Sequence, residues 1–313
     1  MVEQSISEMQ EKMFPYSGEA LQVLRWGNPE QMPVVLLHGF MQSAHSWDML
    51  ARDLAQDYCV YALSFMGHGA SSKSLDPARY RYDDMAASVD MFLRKVVVPE
   101  YASALARVHN INGDACGNTE HKARAHVLGY SMGGRIALSL LRMSADCMAS
   151  LTLEACNLGC ETCDDRKRAA IRNAQWVALL REKGMASFVD YWESLPMFAT
   201  QRAGGFDMHV RAGRLANEAE PMALCLEGAG KQAMPLAPEI RRYIKETAIP
   251  LAYFYGDQDH KSAQVAQQLQ LLGVALSSFP AGHNVHLEAP MLYLEEVRNF
   301  LLRVDVSHRC GKE

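Results

Sequence analysis

The chain has 313 residues, of which 49% are hydrophobic and 21% charged, so it is long enough to bury a large core. Its formal net charge is only −5 and its basic residues are scattered, which argues against a nucleic-acid or anionic-membrane partner. The polar start MVEQSISEMQEKM lacks a secretion-signal pattern, and no apolar run approaches the roughly 18 residues that span a bilayer, so we expect a cytoplasmic protein without a membrane partner; no obligatory protein partner is inferred.

Short apolar runs alternate with longer amphipathic segments along most of the chain. This alternation is typical of a mostly parallel sheet with helices on both faces, the α/β class. The predicted strands are PVVLLHG (Pro33 to Gly39), YCVYALSF, HVLGYS, MASLTLEAC, LAYFYGD and VALSSFPAG. The predicted helices are SWDMLARDLAQ, YDDMAASVDMFLRKVVV, GGRIALSLLRM, SAQVAQQLQLLG and MLYLEEVRNFLLRV.

Two segments interrupt the alternation. Residues 99–122 are polar and rich in Gly and Asn towards their end, and we expect an exposed loop there. Residues 160–246 are helical in pattern and lie between two predicted strands, where a helical cap over the sheet edge would emerge. The sequence therefore predicts a core formed by residues 1–159 and 247–313, with a cap formed by residues 160–246.

A reactive serine is predicted at the end of the strand HVLGYS. Residues 129–133 read Gly-Tyr-Ser-Met-Gly, which satisfies G-x-S-x-G between a predicted strand and a predicted helix. The glycines allow a sharp turn that exposes the hydroxyl of Ser131. The pattern therefore indicates a nucleophile elbow.

A serine becomes reactive when a histidine takes its proton and a carboxylate orients that histidine. Asp259, in GDQD, and His283, in PAGHN, follow later strands in the chain order that this architecture requires. Asp257 is a competing acid at the end of its strand, and His286 is a competing base at the start of the last helix. We predict a triad of Ser131, Asp259 and His283.

Two backbone amides are expected to hold negative charge that develops during the reaction. One belongs to Met132, directly after the serine, and the other to Phe40, in the loop HGFMQSAHSW after the first buried strand. His38 in the same loop is interpreted as a residue that braces the loop.

The cysteines of EACNLGCETC form a C-x3-C-x2-C pattern, which occurs at metal and iron–sulfur sites. Here Cys156, Cys160 and Cys163 follow a late strand of an α/β pattern, and free thiols are the favoured interpretation in a reducing compartment. No metal ligand set and no cofactor are predicted.

Several motifs together carry a family resemblance: HGFMQSAHSW, the GHG of SFMGHGASS, GYSMGGRIAL, GDQD and AGHNVHLEAP. They resemble the α/β-hydrolase superfamily, and within it the 2-succinyl-6-hydroxy-2,4-cyclohexadiene-1-carboxylate synthases of menaquinone biosynthesis. The narrower likeness depends on the arginine after SMGG, the Asn-x-His after the histidine of the triad, and YWESLPMFAT in the cap.

This resemblance implies a carbon–oxygen lyase without a cofactor, acting on a small anionic substrate. It implies that Arg135, Tyr130, Arg214 and Trp192 contact the substrate, and that another cap arginine, either Arg168 or Arg172, faces it. An ion pair between Arg135 and a protein carboxylate remains an alternative to substrate binding. A serine hydrolase, acting as a carboxylesterase or on a C–C bond, is the alternative activity, and a non-catalytic binding protein is a third interpretation.

Overall fold

Eight strands form one sheet in the computed structural model, which describes residues 9–112 and 123–310. In chain order they are β1 (Gln10–Tyr16), β2 (Glu19–Trp26), β3 (Pro33–Leu37), β4 (Cys59–Leu63), β5 (Ala125–Tyr130), β6 (Met148–Glu154), β7 (Leu251–Gly256) and β8 (Ala275–Phe279). Across the sheet the order is β1-β2-β4-β3-β5-β6-β7-β8. The pairings of β1 with β2 and of β2 with β4 are antiparallel, and the others are parallel.

Helices cover both faces of this sheet. Those described are α1 (Asp48–Leu54), α2 (Tyr82–Phe92), α3 (Val98–Asn112), α4 (Met132–Met143), α5 (Cys163–Ser194), α6 (Ala199–Ala203), α7 (Asp207–Leu215), α8 (Ala219–Ala229), α9 (Ala237–Glu246), α10 (His260–Gln270), α11 (Val285–Glu288) and α12 (Pro290–Cys310). One core cluster joins the sheet to α1 and α12, and the other joins it to α2, α4, α9 and α10. The predicted mostly parallel sheet with helices on both faces is confirmed.

The strand β3 shows why the central strands read as continuous apolar runs. All five of its residues are buried. Val34 and Leu36 belong to the core cluster on one face, whereas Val35 and Leu37 belong to the cluster on the other. Because successive side chains point to opposite faces, a strand covered on both sides must be apolar at every position.

The structure describes all of residues 155–250, and the elements that it shows between β6 and β7 are helices. The 32-residue α5 begins at a capping box, in which Thr162 accepts from the Asp165 amide and Asp165 accepts from the Thr162 amide. Gly184, with φ of 73°, kinks this helix. Residues of α9, such as Ile240, belong to the core cluster that joins the sheet to α2, α4 and α10. This packing favours a cap that ends before α9. The division of the chain into core and cap otherwise stays a prediction.

The expectation of a loop from residue 99 is wrong for its first part, because α3 continues to Asn112. A π-helical turn, Leu93–Val97, separates α2 from α3 just before Pro99. Proline lacks an amide donor and its ring clashes with the carbonyl four residues earlier, and the wider π turn accommodates both. Residues 113–122 of the expected loop lie outside the described residues.

Candidate active site

The predicted site residues follow the carboxyl ends of parallel strands. Ser131 comes after β5, Asp259 after β7 and His283 after β8, while Phe40 lies in the loop after β3. In an open parallel sheet the carboxyl ends of the strands meet at one edge. The topology therefore brings these four segments together.

Ser131 occupies a sharp turn between β5 and α4. Its backbone φ is 49° and ψ is −103°, a conformation that L-residues rarely adopt. The turn is held because the Ser131 amide donates to the carbonyl of Glu154, at 2.8 Å, and its carbonyl accepts from the Arg135 amide, at 3.1 Å. This is the geometry of a nucleophile elbow.

The glycines around the serine permit a close approach of backbones. A Cβ on Gly133 would lie 2.2 Å from the carbonyl oxygen of Leu37, and one on Gly129 would lie 2.7 Å from the carbonyl carbon of Gly133. Side chains at these positions would push the elbow away from its neighbours. Because the elbow touches the end of β3, the loop that contains Phe40 starts beside α4.

A hydrogen-bonded chain links Ser131, His283 and Asp259. The Nε2 atom of His283 lies 3.1 Å from Ser131 Oγ, and its Nδ1 atom lies 2.6 Å from Asp259 Oδ2. Asp259 also accepts from the amides of Lys261 and Ser262 and, at 2.7 Å, from the Ser262 hydroxyl. The arrangement can move the serine proton to the histidine.

The surroundings of Asp259 favour its ionised form, which is the form that can orient His283. Burial by itself raises the pKa of this carboxyl, but the hydrogen bonds and charge of His283, with the bonds from Ser262, lower the pKa to about 2. The competing Asp257 is exposed. Ser262 was not foreseen from the sequence, although its position three residues after Asp259 is the spacing of a helix N-cap and its partner.

The amides of Phe40 and Met132 are available to bind an anion. Neither donates to a protein acceptor in residues 9–112 and 123–310. His38 braces the Phe40 loop: its Nε2 accepts from the Phe65 amide at 3.0 Å, so its Nδ1 carries the proton and donates to the Gly39 carbonyl at 2.7 Å. Burial, with His68 nearby, holds the pKa of His38 well below its usual range, so the imidazole stays neutral.

A cavity of about 800 Å³ lies over Ser131 and His283. Its lining includes apolar and aromatic side chains, namely Phe40, Leu158, Trp176, Trp192, Met197, Leu226 and Val265. Four cationic side chains also line it, namely Arg135, Arg172, Lys231 and Lys261. The cavity can therefore take a small molecule with both apolar and anionic parts.

Arg135 lies one helical turn after Ser131 and faces this cavity. Its Nη1 donates to the carbonyl of Ala229 at 2.6 Å, and no carboxylate in the described ranges forms an ion pair with it. Burial lowers the pKa of this guanidinium, while the thiol of Cys225 and the phenol of Tyr82 act in the opposite direction. The alternative of an internal ion pair finds no support in these contacts.

The other predicted substrate contacts divide into two groups. Trp192 lines the cavity and packs edge-on against Phe40, with ring centroids 5.2 Å apart. Tyr130 and Arg214 do not line it. The buried Tyr130 packs behind the site with its ring 5.6 Å from that of His283, and Arg214 forms a buried ion pair of 2.9 Å with Glu193.

The structure also distinguishes the two cap arginines that the sequence left open. Arg172 lines the cavity and stacks over Trp176, with its Cζ 5.3 Å from the ring centroid. Arg168 is exposed and pairs with Asp165. Of these two exposed arginines, only Arg172 is part of the cavity lining.

Within the part of the chain that the structure describes, no three potential ligands among His, Cys, Asp and Glu are grouped as a metal site would require. Cys156 and Cys160 are buried, whereas Cys163 is exposed at the start of α5. Among the described helices, none is long and apolar enough to cross a bilayer.

Two curated relatives match most of the chain. The putative 2-succinyl-6-hydroxy-2,4-cyclohexadiene-1-carboxylate synthase of Bacillus subtilis (strain 168) is 27% identical over 280 residues, which cover 87% of this chain and 90% of that protein. The 2-succinyl-6-hydroxy-2,4-cyclohexadiene-1-carboxylate synthase of Serratia proteamaculans (strain 568) is 27% identical over 286 residues, covering 90% and 98% respectively. Both names are those of enzymes, which confirms the prediction of an enzyme.

Solved structures share the fold. MenH from S. aureus has a TM-score of 0.75 at 22% identity, covering 90% of this chain and 98% of that one. The enol-lactonase from Burkholderia xenovorans LB400 has a TM-score of 0.71 at 18% identity, covering 93% and 100%. A sequence model of the alpha/beta hydrolase family matches residues 34–296 of this chain. This match, together with the elbow and the order of the strands in the sheet, shows that the chain belongs to the α/β-hydrolase family.

Proposed function

We propose that this enzyme is a carbon–oxygen lyase of menaquinone biosynthesis. It eliminates pyruvate from 2-succinyl-5-enolpyruvyl-6-hydroxy-3-cyclohexene-1-carboxylate and forms 2-succinyl-6-hydroxy-2,4-cyclohexadiene-1-carboxylate. The observation that carries this proposal is Arg135, a cation in the cavity beside Ser131 that has no carboxylate partner in the described ranges. A partly buried cation without a carboxylate partner favours an anionic ligand, and the names of the two relatives support this substrate.

The proposed reaction starts with removal of a proton next to a carbonyl. Ser131 passes its hydroxyl proton to His283, and the serine oxygen takes the proton from the ring carbon beside the succinyl carbonyl. The electron pair then moves through the ring double bond and breaks the bond to the enolpyruvyl oxygen. The leaving group departs as the enolate of pyruvate and takes the proton from His283, so that no acyl-enzyme forms and no metal or organic cofactor is required.

Two features of the cavity support this chemistry. The amides of Phe40 and Met132 would hold the negative charge on the succinyl carbonyl, and each such donor typically contributes about 3 kcal/mol. Arg135 and Arg172 would bind carboxylates of the substrate, with Trp192 against the ring. We assign Arg214 no contact with the substrate, because its ion pair with Glu193 lies outside the cavity lining.

The apolar part of the cavity lining favours a second candidate, a serine hydrolase of an ester or of a C–C bond. Such an enzyme needs an apolar site for the acyl group and attacks the carbonyl with Ser131. The same triad serves both reactions, so the substrate has to distinguish them.

Pyruvate release tests the proposal directly. The lyase substrate is supplied to the purified protein, and pyruvate is coupled to NADH oxidation by lactate dehydrogenase. We expect release by the wild type and a large loss in Ser131→Ala, because the base is removed. Hydrolysis of simple esters through Ser131, without any pyruvate release from the lyase substrate, would overturn the lyase in favour of the hydrolase. Tight ligand binding without turnover of either substrate would indicate a binding protein.

A further inference from the structure

A second histidine–carboxylate pair lies behind the triad and takes no part in the mechanism above. Glu154, the last residue of β6, is fully buried, and His286, at the start of α11, is 7% exposed. The Nδ1 atom of His286 lies 2.9 and 2.8 Å from the two carboxylate oxygens of Glu154, and the His286 amide donates to Oε1 at 3.1 Å. Three contacts thus join one carboxylate to one residue.

The surroundings hold this pair in one orientation. The imidazole of His286 packs against the indole of Trp47, with ring centroids 4.3 Å apart, and against the edge of Tyr130, at 4.9 Å. A carboxylate buried in an apolar environment costs several kcal/mol unless it is hydrogen-bonded. Removing the imidazole leaves the buried carboxylate with the His286 amide but without its side-chain bonds. Directional bonds of this kind fix geometry more strictly than apolar packing does.

The pair links the turn that carries Ser131 to the loop that carries His283. Glu154 is paired with Tyr130 in the sheet, and its carbonyl accepts the amide of Ser131 at 2.8 Å. His286 lies three residues after His283, on the same loop and helix start. One end of the pair is thus fixed to the nucleophile turn, and the other end to the loop that carries the base.

We propose that Glu154 and His286 are positioning residues, which set the distance between His283 Nε2 and Ser131 Oγ. The proposal rests on the triad of the proposed function, but it does not depend on which substrate the triad converts. Without the pair, the loop of His283 is still held to the segment after β7, by the His283–Asp259 bond and by the Gln258 amide donating to the Ala281 carbonyl. It also keeps the local bonds from the amides of Gly282 and Asn284 to Glu288, but none of these bonds leads to β6 or to the nucleophile turn. A misplacement of about 1 Å in a catalytic contact lowers rates on the order of 100-fold.

The test uses a reaction that needs only the triad and the oxyanion amides. A fluorophosphonate probe labels an activated serine, and its second-order rate constant is measured on the full chain by intact mass, together with Tm. For His286→Gln, whose amide nitrogen cannot take the position of Nδ1, we expect labelling of Ser131 to slow by about 10- to 100-fold. In His286→Asn the side-chain nitrogen can replace Nδ1, and we expect its rate to lie within a few-fold of wild type.

A matched control comes from the other end of β5. His126 is also buried, and it contacts Ser150 Oγ at 2.7 Å and Asp305 at 3.2 Å. His126→Gln is expected to lower Tm without slowing the labelling. If His286→Gln does not fold, Glu154→Leu/His286→Leu replaces it, since apolar replacement of a buried pair is often neutral for stability; the same slowing is expected.

The proposal is overturned if the folded pair variant is labelled as fast as wild type, or if His126→Gln slows labelling as much. It is also overturned if His286→Asn is no faster than His286→Gln. A wild-type protein that the probe does not label would refute the triad itself, and that result is independent of every variant. If the wild-type protein is labelled normally but releases no pyruvate from the lyase substrate, only the assignment of that substrate is refuted.

Discussion

Arg135 donates a hydrogen bond of 2.6 Å to the carbonyl oxygen of Ala229, the last residue of α8. The guanidinium of α4 is therefore held by a neutral backbone acceptor at the end of α8. A carbonyl orients a guanidinium without neutralising its charge, so the remaining donors can serve a ligand in the cavity. This contact leads to a prediction about substrate charge.

Arg135→Gln is expected to weaken turnover of an anionic substrate and to spare a neutral one. A hydrogen bond to a charged group contributes about 1.5–3 kcal/mol, which corresponds to a loss of roughly 10- to 150-fold in kcat/KM for the carboxylated substrate. Turnover of a small neutral ester should change little. The matched control is Arg166→Gln, because Arg166 also donates to a carbonyl, that of Met234, but lies outside the cavity lining. Equal losses on both substrates would argue against anion binding by Arg135.

Arg214 is expected to stabilise the fold instead of binding the substrate. It is 3% exposed, pairs with Glu193 and lies over the ring of Phe198, with its Cζ 4.9 Å from the centroid. Removing the sole partner of a buried charge costs about 3–5 kcal/mol, but here Glu193 keeps its ion pair with Arg211. Arg214→Met should therefore lower the free energy of unfolding, measured in urea, by less than this amount.

The partner variant separates the two roles of Arg214. Glu193→Gln should also destabilise the protein, because it leaves Arg214 and Arg211 without their shared carboxylate. An Arg214→Met protein that is as stable as wild type but has a strongly raised KM would contradict this prediction and return Arg214 to the substrate site.

The sequence predicted the elbow and the triad because their signals are local or ordered along the chain. The glycines at 129 and 133 are required by the turn itself, and the order of Ser131, Asp259 and His283 follows from the strands that carry them. The cap arginines lacked such a signal. Which of several arginines faces the cavity depends on how helices pack over the sheet, and spacing along one helix does not determine that packing.

The strands β1 and β2 and the helix α3 escaped prediction for a different reason. In β2 the buried residues include Gln22, a polar side chain that interrupts the apolar run. The edge strand β1 exposes most of its residues and buries only Phe14 and Tyr16, so its apolar pattern is too weak to read. The helix α3 has a polar composition and contains a proline near its start, both of which indicate a loop when the π turn before it is unknown. In each case the tertiary context outweighs the local signal.

Two glycine substitutions should have opposite effects on stability. In Gly133→Ala the new Cβ would lie 2.2 Å from the carbonyl oxygen of Leu37, so the elbow or the Phe40 loop must move. Such overpacking costs about 1–3 kcal/mol or more, and we expect activity to fall with it, since the oxyanion amides separate. Gly213, exposed within α7, has no neighbour near the corresponding position. Gly213→Ala should stabilise the protein by about 0.4–1 kcal/mol in urea unfolding, and an active, fully stable Gly133→Ala would contradict the proposed elbow geometry.

The stability that Asp259 contributes should depend on pH in a defined direction. Its pKa in the folded chain is about 2, below the ordinary value for an aspartate. Because folding favours the ionised form, the contribution is complete above a pH of about 4 and is lost as the pH falls through about 2. The difference in Tm between wild type and Asp259→Asn should therefore be largest near neutral pH and shrink as the pH falls through this window. The exposed Asp257 provides a control for substitution in the same turn, since Asp257→Asn should leave Tm close to that of wild type. A Tm difference for Asp259→Asn that stays constant down to a pH of about 2 would show that the His283 and Ser262 bonds do not favour the carboxylate.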